Sequence, residues 1–310
     1  MPLFKKEEST LRLVKPAKFA NEKELQNLIE ANLKKIFNFR FVATEYVTGQ
    51  VNAGRIDSIA ISEDNNPVII EYKVTESSCV INQSLFYLDW MIDHHGDFEI
   101  AVQKAYPSEK IDIDWSDIIV ICITPNFKKY DLKAVQRIGG NIELWKYRYY
   151  EDGSLYFDLI YRNPVSKQNL SENKELALNS GIGTQVVEVK EEYFVSSFIS
   201  KLGKTKLNLF HEIQDFIIGL DDTVEEVPKK LYIAYKTTQN VVCLITHKDK
   251  VVLFLKLDPS SIPNLPSICR DVTKIGHNAT GNLELTISKE EDIEIAKMYI
   301  TMTFENLGGN

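Results

Sequence analysis

Arg55-Ile-Asp-Ser-Ile-Ala-Ile-Ser62 and Pro67-Val-Ile-Ile-Glu-Tyr-Lys-Val74 are two apolar-rich stretches separated by Glu63-Asp-Asn-Asn66. Their β-branched residues and the polar run between them predict two strands joined by a turn. Side chains two residues apart on a strand point to the same side, so Glu71 and Lys73 share one face. An acid and an amine therefore lie together at the end of the second strand.

Asp57 joins this face if the two strands pair as a hairpin in one particular register. Directly opposed residues of an antiparallel pair share a face, and their residue numbers add up to a constant. Asp57 opposes Glu71 when that constant is 128, which also pairs Ile61 with Pro67 and makes the loop odd in length. A four-residue loop would instead oppose Asp57 to Tyr72 and turn the carboxylates to opposite faces, unless a bulge restored them.

The paired carboxylates predict a divalent metal site. Two carboxylates held together oppose each other's ionisation, and a divalent cation relieves that repulsion. Magnesium prefers oxygen ligands and commonly binds one or two carboxylates plus substrate phosphate oxygens, so we expect Mg²⁺, with Mn²⁺ as a substitute. Lys73 could orient an attacking water or help to deprotonate it, although nearby carboxylates favour its charged form. This chemistry predicts hydrolysis of a phosphodiester.

Two predicted helices flank the strands and offer further site residues. The first runs from Glu22 to Phe37 with Asn21 as its N-cap, and the second from Val80 to Asp93. Glu24 or Glu30 could present a third carboxylate from the first helix. Glu24 also lies three residues after Asn21, which fits a capping role.

The second helix carries a row of candidate site residues. Gln83, Tyr87 and Trp90 fall at i, i+4 and i+7, so they line one face. Gln83 is the polar member nearest the Glu71 strand. Each of these residues also has an alternative to a role in the site. Gln83 could be a solvated helix residue, and Tyr87 and Trp90 could pack in the core.

The ordered series Glu24, Asp57, Glu71-Tyr-Lys73, Gln83 and Tyr87 resembles the PD-(D/E)XK nuclease superfamily and, within it, the NucS-like branch. The sequence motif Gly54-Arg-Ile-Asp57 also matches that branch. The resemblance implies an α/β fold with a restriction-endonuclease-like core, in which helices flank a mixed sheet. It implies a magnesium-dependent endonuclease (deoxyribonuclease) that binds and hydrolyses DNA.

The resemblance also implies roles for individual residues. Asp57, Glu71 and the backbone carbonyl of Tyr72 would bind the metal, and Lys73 would serve the attacking water. The other implied catalytic residues are Glu24 and Gln83, and the implied substrate-binding residues are Arg55, Tyr87 and Trp90.

The chain departs from the family pattern at two points. Ile56 stands before Asp57, where the superfamily commonly has proline. NucS nucleases carry the nuclease unit behind an N-terminal DNA-binding domain, whereas here it comes first. The preferred DNA structure is therefore not implied.

The length of 310 residues predicts two domains. Residues 163–183 are rich in Asn, Ser, Lys, Glu and Gly, which is typical of a linker. We predict a nuclease-like domain over residues 1–162, a linker over 163–189 and an α+β domain over 190–310. The last resembles an uncharacterised domain often found behind such nuclease units, and it would choose the substrate or partner.

The remaining elements follow from hydrophobic periodicity. In the first domain we expect strands over 41–46, 98–102, 117–124, 142–150 and 155–161 and a helix over 127–138. In the second we expect helices over 193–202, 205–220 and 288–304 and strands over 230–237, 241–246 and 251–257.

Composition and charge limit the setting in which the protein works. The net charge is -8, and both halves carry more acidic than basic residues, so DNA contact must rely on a local patch or a bound metal. A homodimer or protein partner could pool patches such as Lys34-Lys35 and Lys128-Lys129. The four cysteines lack metal-ligand spacing, and the sequence shows neither a signal peptide nor a membrane span, so we expect a cytoplasmic protein.

One alternative belongs to a different functional class. A catalytically inactive module could keep the nuclease fold and bind nucleic acid or protein without cutting. The sequence favours the enzyme because a degenerate copy would usually have lost Asp57, Glu71 or Lys73, and this chain retains all three.

Overall fold

The computed structural model describes residues 2–49, 54–76, 79–138, 141–162, 193–277 and 279–309. The chain divides into two compact units, residues 1–190 and 191–310. The predicted linker over 163–189 lies outside the described residues. Within the described ranges, no helix combines the length and apolar character needed to cross a bilayer.

The first unit is built on a mixed sheet. The strands of this unit are β1 Leu3–Glu7, β2 Thr10–Val14, β3 Pro16–Ala17, β4 Arg40–Val47, β5 Arg55–Ile61, β6 Pro67–Tyr72, β7 Ile119–Thr124, β8 Asn141–Tyr150 and β9 Leu155–Arg162. The sheet is seven-stranded in the order β3-β8-β7-β6-β5-β4, with β9 paired to β8, and a separate hairpin of β1 and β2 precedes it. The strands β6, β7 and β8 run parallel and the other pairs antiparallel.

Helices cover both faces of this sheet, as the fold class predicted. They are α1 Glu22–Phe37, α2 Cys79–Asp93, α3 His95–Ala105 and α4 Lys129–Ile138. The apolar stripe of α1 packs on Ile70 and Tyr72 of β6. On the other face, α2, α3 and α4 pack on alternate residues of the same strands, including Ile69 and Cys122. The sheet is therefore buried on both sides along its central strands.

The hairpin of β5 and β6 has the register that the site requires. Ser58 pairs with Ile70 and Ile61 with Pro67, so the next position places Asp57 beside Glu71. The loop is five residues long, and Ser62 Oγ accepts the backbone N–H groups of two residues within it. This confirms the odd loop and the shared face of the two carboxylates.

One predicted strand is a helix. Residues 98–102 lie within α3, where Phe98, Ala101 and Val102 are its buried residues. Their spacing of three and four is helical, and the run is too short for alternation to be decisive. The hairpin of β1 and β2 was not predicted, because its residues are almost all exposed and charged residues interrupt their pattern.

The second unit has the predicted α+β organisation. Its six-stranded antiparallel sheet has the order β10-β11-β12-β13-β15-β14, and three helices share a core with it. The elements are α5 Val195–Ile199, α6 Leu207–Ile218, β10 Glu225–Pro228, β11 Ile233–Lys236, β12 Asn240–His247, β13 Lys250–Leu255, β14 Cys269–Asp271, β15 Leu283–Ile287 and α7 Glu291–Asn306. The strands β10, β14 and β15 add to the three that were predicted.

A buried ion pair joins the last two strands of the first unit. Arg162 Nε donates to Glu143 Oε1 at 2.7 Å, and their side chains are 5% and 4% exposed. Glu143 also accepts the indole N–H of Trp145 at 2.8 Å. The carboxylate is thus neutralised and hydrogen-bonded inside the protein.

Replacing Glu143 with Gln removes the charge that faces the Arg162 guanidinium, so we expect the unfolding free energy to fall by about 3 kcal/mol. Urea unfolding followed by tryptophan fluorescence reports on this unit, because all three tryptophans belong to it. Glu151→Gln, which weakens an exposed contact to Arg12, is the matched control and should cost less than about 1 kcal/mol. Equal losses in the two variants would contradict this role of the buried pair.

Candidate active site

Asp57 and Glu71 are held side by side by two hydrogen bonds between β5 and β6, each donated by a backbone N–H to a side-chain carboxylate. The N–H of Tyr72 donates to Asp57 Oδ2 at 3.1 Å, and the N–H of Asp57 donates to Glu71 Oε1 at 3.2 Å. Each strand thus supplies a carboxylate and a donor to the other. The hairpin register fixes the separation of the two acids.

Burial and mutual repulsion oppose ionisation of both acids. Burial, followed by the neighbouring Asp57 charge, raises the pKa of Glu71 to about 8. Burial likewise raises the pKa of Asp57, with contributions from Glu45 and Glu22. A site that penalises two negative charges in this way favours a bound cation.

Lys73 stands at the end of β6 beside the two acids. Burial alone would lower the pKa of Lys73, but the charges of Asp57 and Glu22 outweigh it and the pKa is raised. The ammonium donates to Glu22 Oε2 at 3.2 Å, and the side chain is only 14% exposed. Lys73 is therefore a fixed cation, suited to orienting a water and stabilising negative charge.

The first turn of α1 carries two acids with different contacts, Glu22 and Glu24. Glu24 Oε2 accepts the backbone N–H of Ala20 at 2.6 Å, while Asn21 caps the N–H of Glu24 at 2.9 Å. This is the capping alternative for Glu24. The acid of α1 that contacts Lys73 is Glu22, two residues earlier, which sequence reasoning missed.

A buried glutamine on α1 holds the backbone at Asp57. Gln26, 3% exposed, donates from its amide to the Asp57 carbonyl and to Glu30 Oε1. Glu30 also accepts the hydroxyl of Ser58 at 2.6 Å. Glu30 therefore supports the strand behind the site. The sequence signal for this role is that Gln26, a polar residue, occupies a position on the apolar, buried face of α1.

Tyr87 of α2 fixes the start of β5. Its hydroxyl donates to the carbonyl of Arg55 at 2.8 Å and accepts the Arg55 N–H at 3.2 Å. Gly54 allows this approach, because a Cβ there would lie 2.8 Å from the Tyr87 ring. The Arg55 side chain is 65% exposed and ion-paired with Glu45, so it remains open to solvent at the rim.

The candidates on α2 differ in position. Tyr87 and Trp90 are 7% and 4% exposed and pack in the core. Tyr87 also lies near the acids, because the charges of Glu71 and Asp57 add to burial in raising its pKa. Gln83 is exposed, and no hydrogen bond joins it to Asp57 or Glu71, all three of which the structure describes.

The donors at this site fit a hard divalent cation. Asp57 and Glu71 offer carboxylate oxygens, and Tyr72, which follows Glu71, offers its backbone carbonyl oxygen. Across the described ranges, no group of three or more His, Cys, Asp or Glu side chains is arranged to hold a metal. Two carboxylates suit Mg²⁺, which keeps several waters and takes substrate oxygens for the rest.

Comparisons with known proteins give the second unit a family match. Residues 195–298 match a domain of unknown function, DUF5655. An uncharacterised protein of Haemophilus influenzae is 26% identical over 298 residues, covering 95% of this chain and 96% of that protein. The two proteins therefore align along nearly their full lengths.

Two solved structures are similar to part of the chain. A complex of EndoMS with double-stranded DNA matches with 16% identity and a TM-score of 0.29, covering 46% of this chain and 49% of its own. A repair endonuclease from Pyrococcus abyssi matches with 19% identity and a TM-score of 0.28, covering 43% and 49%. The match spans about half the length of each of those chains.

In EDTA, we expect Glu71→Gln to be more stable than the wild type at pH 8. The Glu71 carboxyl has a pKa of about 8 in the fold against an ordinary 4.5. Its contribution to stability is therefore fully present below pH 4.5 and is lost as the pH rises through 8.

Urea unfolding at a series of pH values measures this difference. It should be roughly 4 kcal/mol at pH 8 and disappear in acid, where the wild-type carboxyl is protonated in both states. A variant and wild type that respond alike to pH would contradict the cost assigned to Glu71.

Proposed function

We propose that the protein is a metal-dependent DNA endonuclease that hydrolyses phosphodiester bonds. The observation that carries the proposal is the pairing of the Asp57 and Glu71 carboxylates, with Lys73 fixed beside them. Placing two acids whose ionisation is opposed side by side does not stabilise the fold, whereas the pair suits a cation that in turn binds a phosphate. The resemblance of this series to the PD-(D/E)XK superfamily supports the same chemistry.

The ligands of the cation would be Asp57, Glu71 and the backbone carbonyl of Tyr72. When bound there, Mg²⁺ or Mn²⁺ supplies charge stabilisation for the phosphate and lowers the pKa of a coordinated water. The hairpin holds the two carboxylates in place through the backbone donors of Asp57 and Tyr72. The ligands are thus organised before the substrate arrives.

Lys73 would act on the water and the phosphate, and Glu22 would hold Lys73 in position. The charged ammonium of Lys73 stabilises negative charge that develops on the phosphate oxygens and orients the attacking water through a hydrogen bond. Glu22 accepts from the same ammonium and limits its rotation. Because the pKa of Lys73 is raised, the lysine is a poor proton acceptor and a good electrostatic stabiliser.

The second unit would select the substrate or the partner, since the proposed chemistry lies wholly in the first. A homodimer would bring two sites to opposite strands of a duplex. An inactive binding module is the second candidate, and it differs from the first in one respect: it binds DNA but leaves every phosphodiester intact.

Purified protein should cut single-stranded, duplex or branched DNA with Mg²⁺ or Mn²⁺ and not with EDTA. Asp57→Asn and Lys73→Ala should each lower the single-turnover rate at least about a hundredfold, since each removes charge stabilisation in the transition state. Cutting that persists in either variant or in EDTA would rule out the assigned site. Binding without any cutting would establish the inactive module.

The two acids of the first α1 turn provide a matched pair. Glu22→Gln should slow cutting at least about tenfold with little change in stability, because it frees Lys73. Glu24→Gln should lower stability by about 1 kcal/mol and leave the rate near the wild-type value, because it weakens a cap. The reverse pattern would return the catalytic role to Glu24.

A further inference from the structure

A basic and aromatic surface lies on the same face of the sheet as the paired acids. Glu71 is level with Cys122 of β7, which is level with Leu144 of β8. Alternation therefore puts Lys146 and Arg148 on that face. On β9, Tyr156 opposes Arg148 and shares its face. We call Lys146, Arg148 and Tyr156 the hairpin surface.

The hairpin surface begins close to Lys73. Tyr72 pairs with Ile123, so Lys73 is level with Thr124, and Thr124 is level with Lys146. Two strand spacings separate Lys73 from Lys146, which is about 10 Å. Arg148 and Tyr156 continue outward along β8 and β9. A strand of nucleic acid leaving the paired acids along this face would meet these side chains next.

Contacts within the surface hold its side chains in place. Lys146 Nζ donates to Asn126 Oδ1 at 3.1 Å, and Asn126 donates in turn to Glu76 at 2.8 Å. The Arg148 guanidinium lies 5.6 Å from the centre of the Tyr156 ring. Lys146 is thus tethered next to the site, and Arg148 and Tyr156 form one unit at the outer end.

The exposure and chemistry of the surface fit one kind of ligand. Tyr156 is 49% exposed, although its strand neighbours Leu155 and Phe157 pack into the core. Asp158 opposes Lys146 and offsets part of the charge there, which leaves Arg148 as the outer cation. An exposed ring beside a guanidinium suits an unpaired base and its phosphate. A folded protein partner would call for a broader apolar patch.

We infer that the hairpin surface binds an unpaired stretch of the substrate strand next to the scissile bond, with a base stacked on Tyr156 and phosphates on Arg148 and Lys146. The inference rests on the proposed function for the position of the scissile bond. The binding itself requires only the described side chains of the first unit. The surface would therefore favour DNA that is single-stranded on one side of the cut.

The test measures binding of the full-length protein to a fluorescent oligothymidine of about 16 nucleotides by anisotropy, in EDTA so that no cutting occurs. Arg148→Ala and Tyr156→Ala should each weaken binding about tenfold. Arg148→Ala should also reduce the slope of log affinity against log salt by about 0.7. Tyr156→Phe keeps the ring and should bind like the wild type.

Arg137→Ala is the matched control. Arg137 is an exposed arginine in the last turn of α4. It precedes the start of β8, and because β6 and β8 run in the same direction, that start lies at the end of the strands away from Lys73. Its loss should leave affinity unchanged. A duplex of the same length should bind more weakly and should not respond to Tyr156→Ala.

Unchanged affinity in Arg148→Ala and Tyr156→Ala would overturn the inference, and so would equal losses in Tyr156→Phe and Tyr156→Ala. Either result leaves the cutting assays of Asp57→Asn to decide the proposed function separately. Conversely, an absence of cutting together with the expected binding losses would overturn the catalytic proposal and keep the hairpin surface. Arg148→Gln replaces Arg148→Ala if circular dichroism shows that the alanine variant is unfolded.

Discussion

The structure of the first unit depends on two hydrogen bonds that backbone N–H groups donate to the half-buried carboxyl of Asp57 and the buried carboxyl of Glu71. Asp57 accepts from Tyr72, and Glu71 accepts from Asp57. These bonds hold two acids side by side although burial opposes their ionisation and raises the pKa of both. Three neighbouring features hold this arrangement in place. The five-residue loop sets the register, Gln26 donates to the Asp57 carbonyl, and Tyr87 donates to the Arg55 carbonyl at the start of β5.

The sequence limited the arrangement of the acids to two registers, because strand alternation is a strict constraint. It left open whether the loop between the strands was odd or four residues long, because Ile59, Ala60 and Ile61 make both faces of β5 apolar, and the structure shows the odd loop. The helix α1 was equally predictable from its apolar stripe and its Asn21 cap. These features depend on periodicity and local geometry, which a sequence displays directly.

The parts that could not be predicted depend on how side chains point at the ends of elements. Glu22 and Glu24 occupy the same helical turn, and only the approach of Lys73 decides which acid joins the site. The segment 98–102 was misread because a short apolar run fits a strand as well as a buried helix. Tyr87 and Trp90 follow the spacing of site residues, yet the same spacing serves packing, and both side chains are buried in the core.

The first unit contains two buried carboxylate sites that differ in how their charge is balanced. Glu143 faces an arginine that the fold itself supplies, with Nε 2.7 Å away, and it accepts an indole N–H as well. Glu71 faces another acid, and the adjacent lysine directs its hydrogen bond to Glu22 instead. A protein that can bury a neutralised carboxylate at one place has no structural need to leave two acids repelling each other at another. The imbalance at Asp57 and Glu71 therefore supports the proposed cation, and the position of Lys73 beside them supports the proposed phosphate.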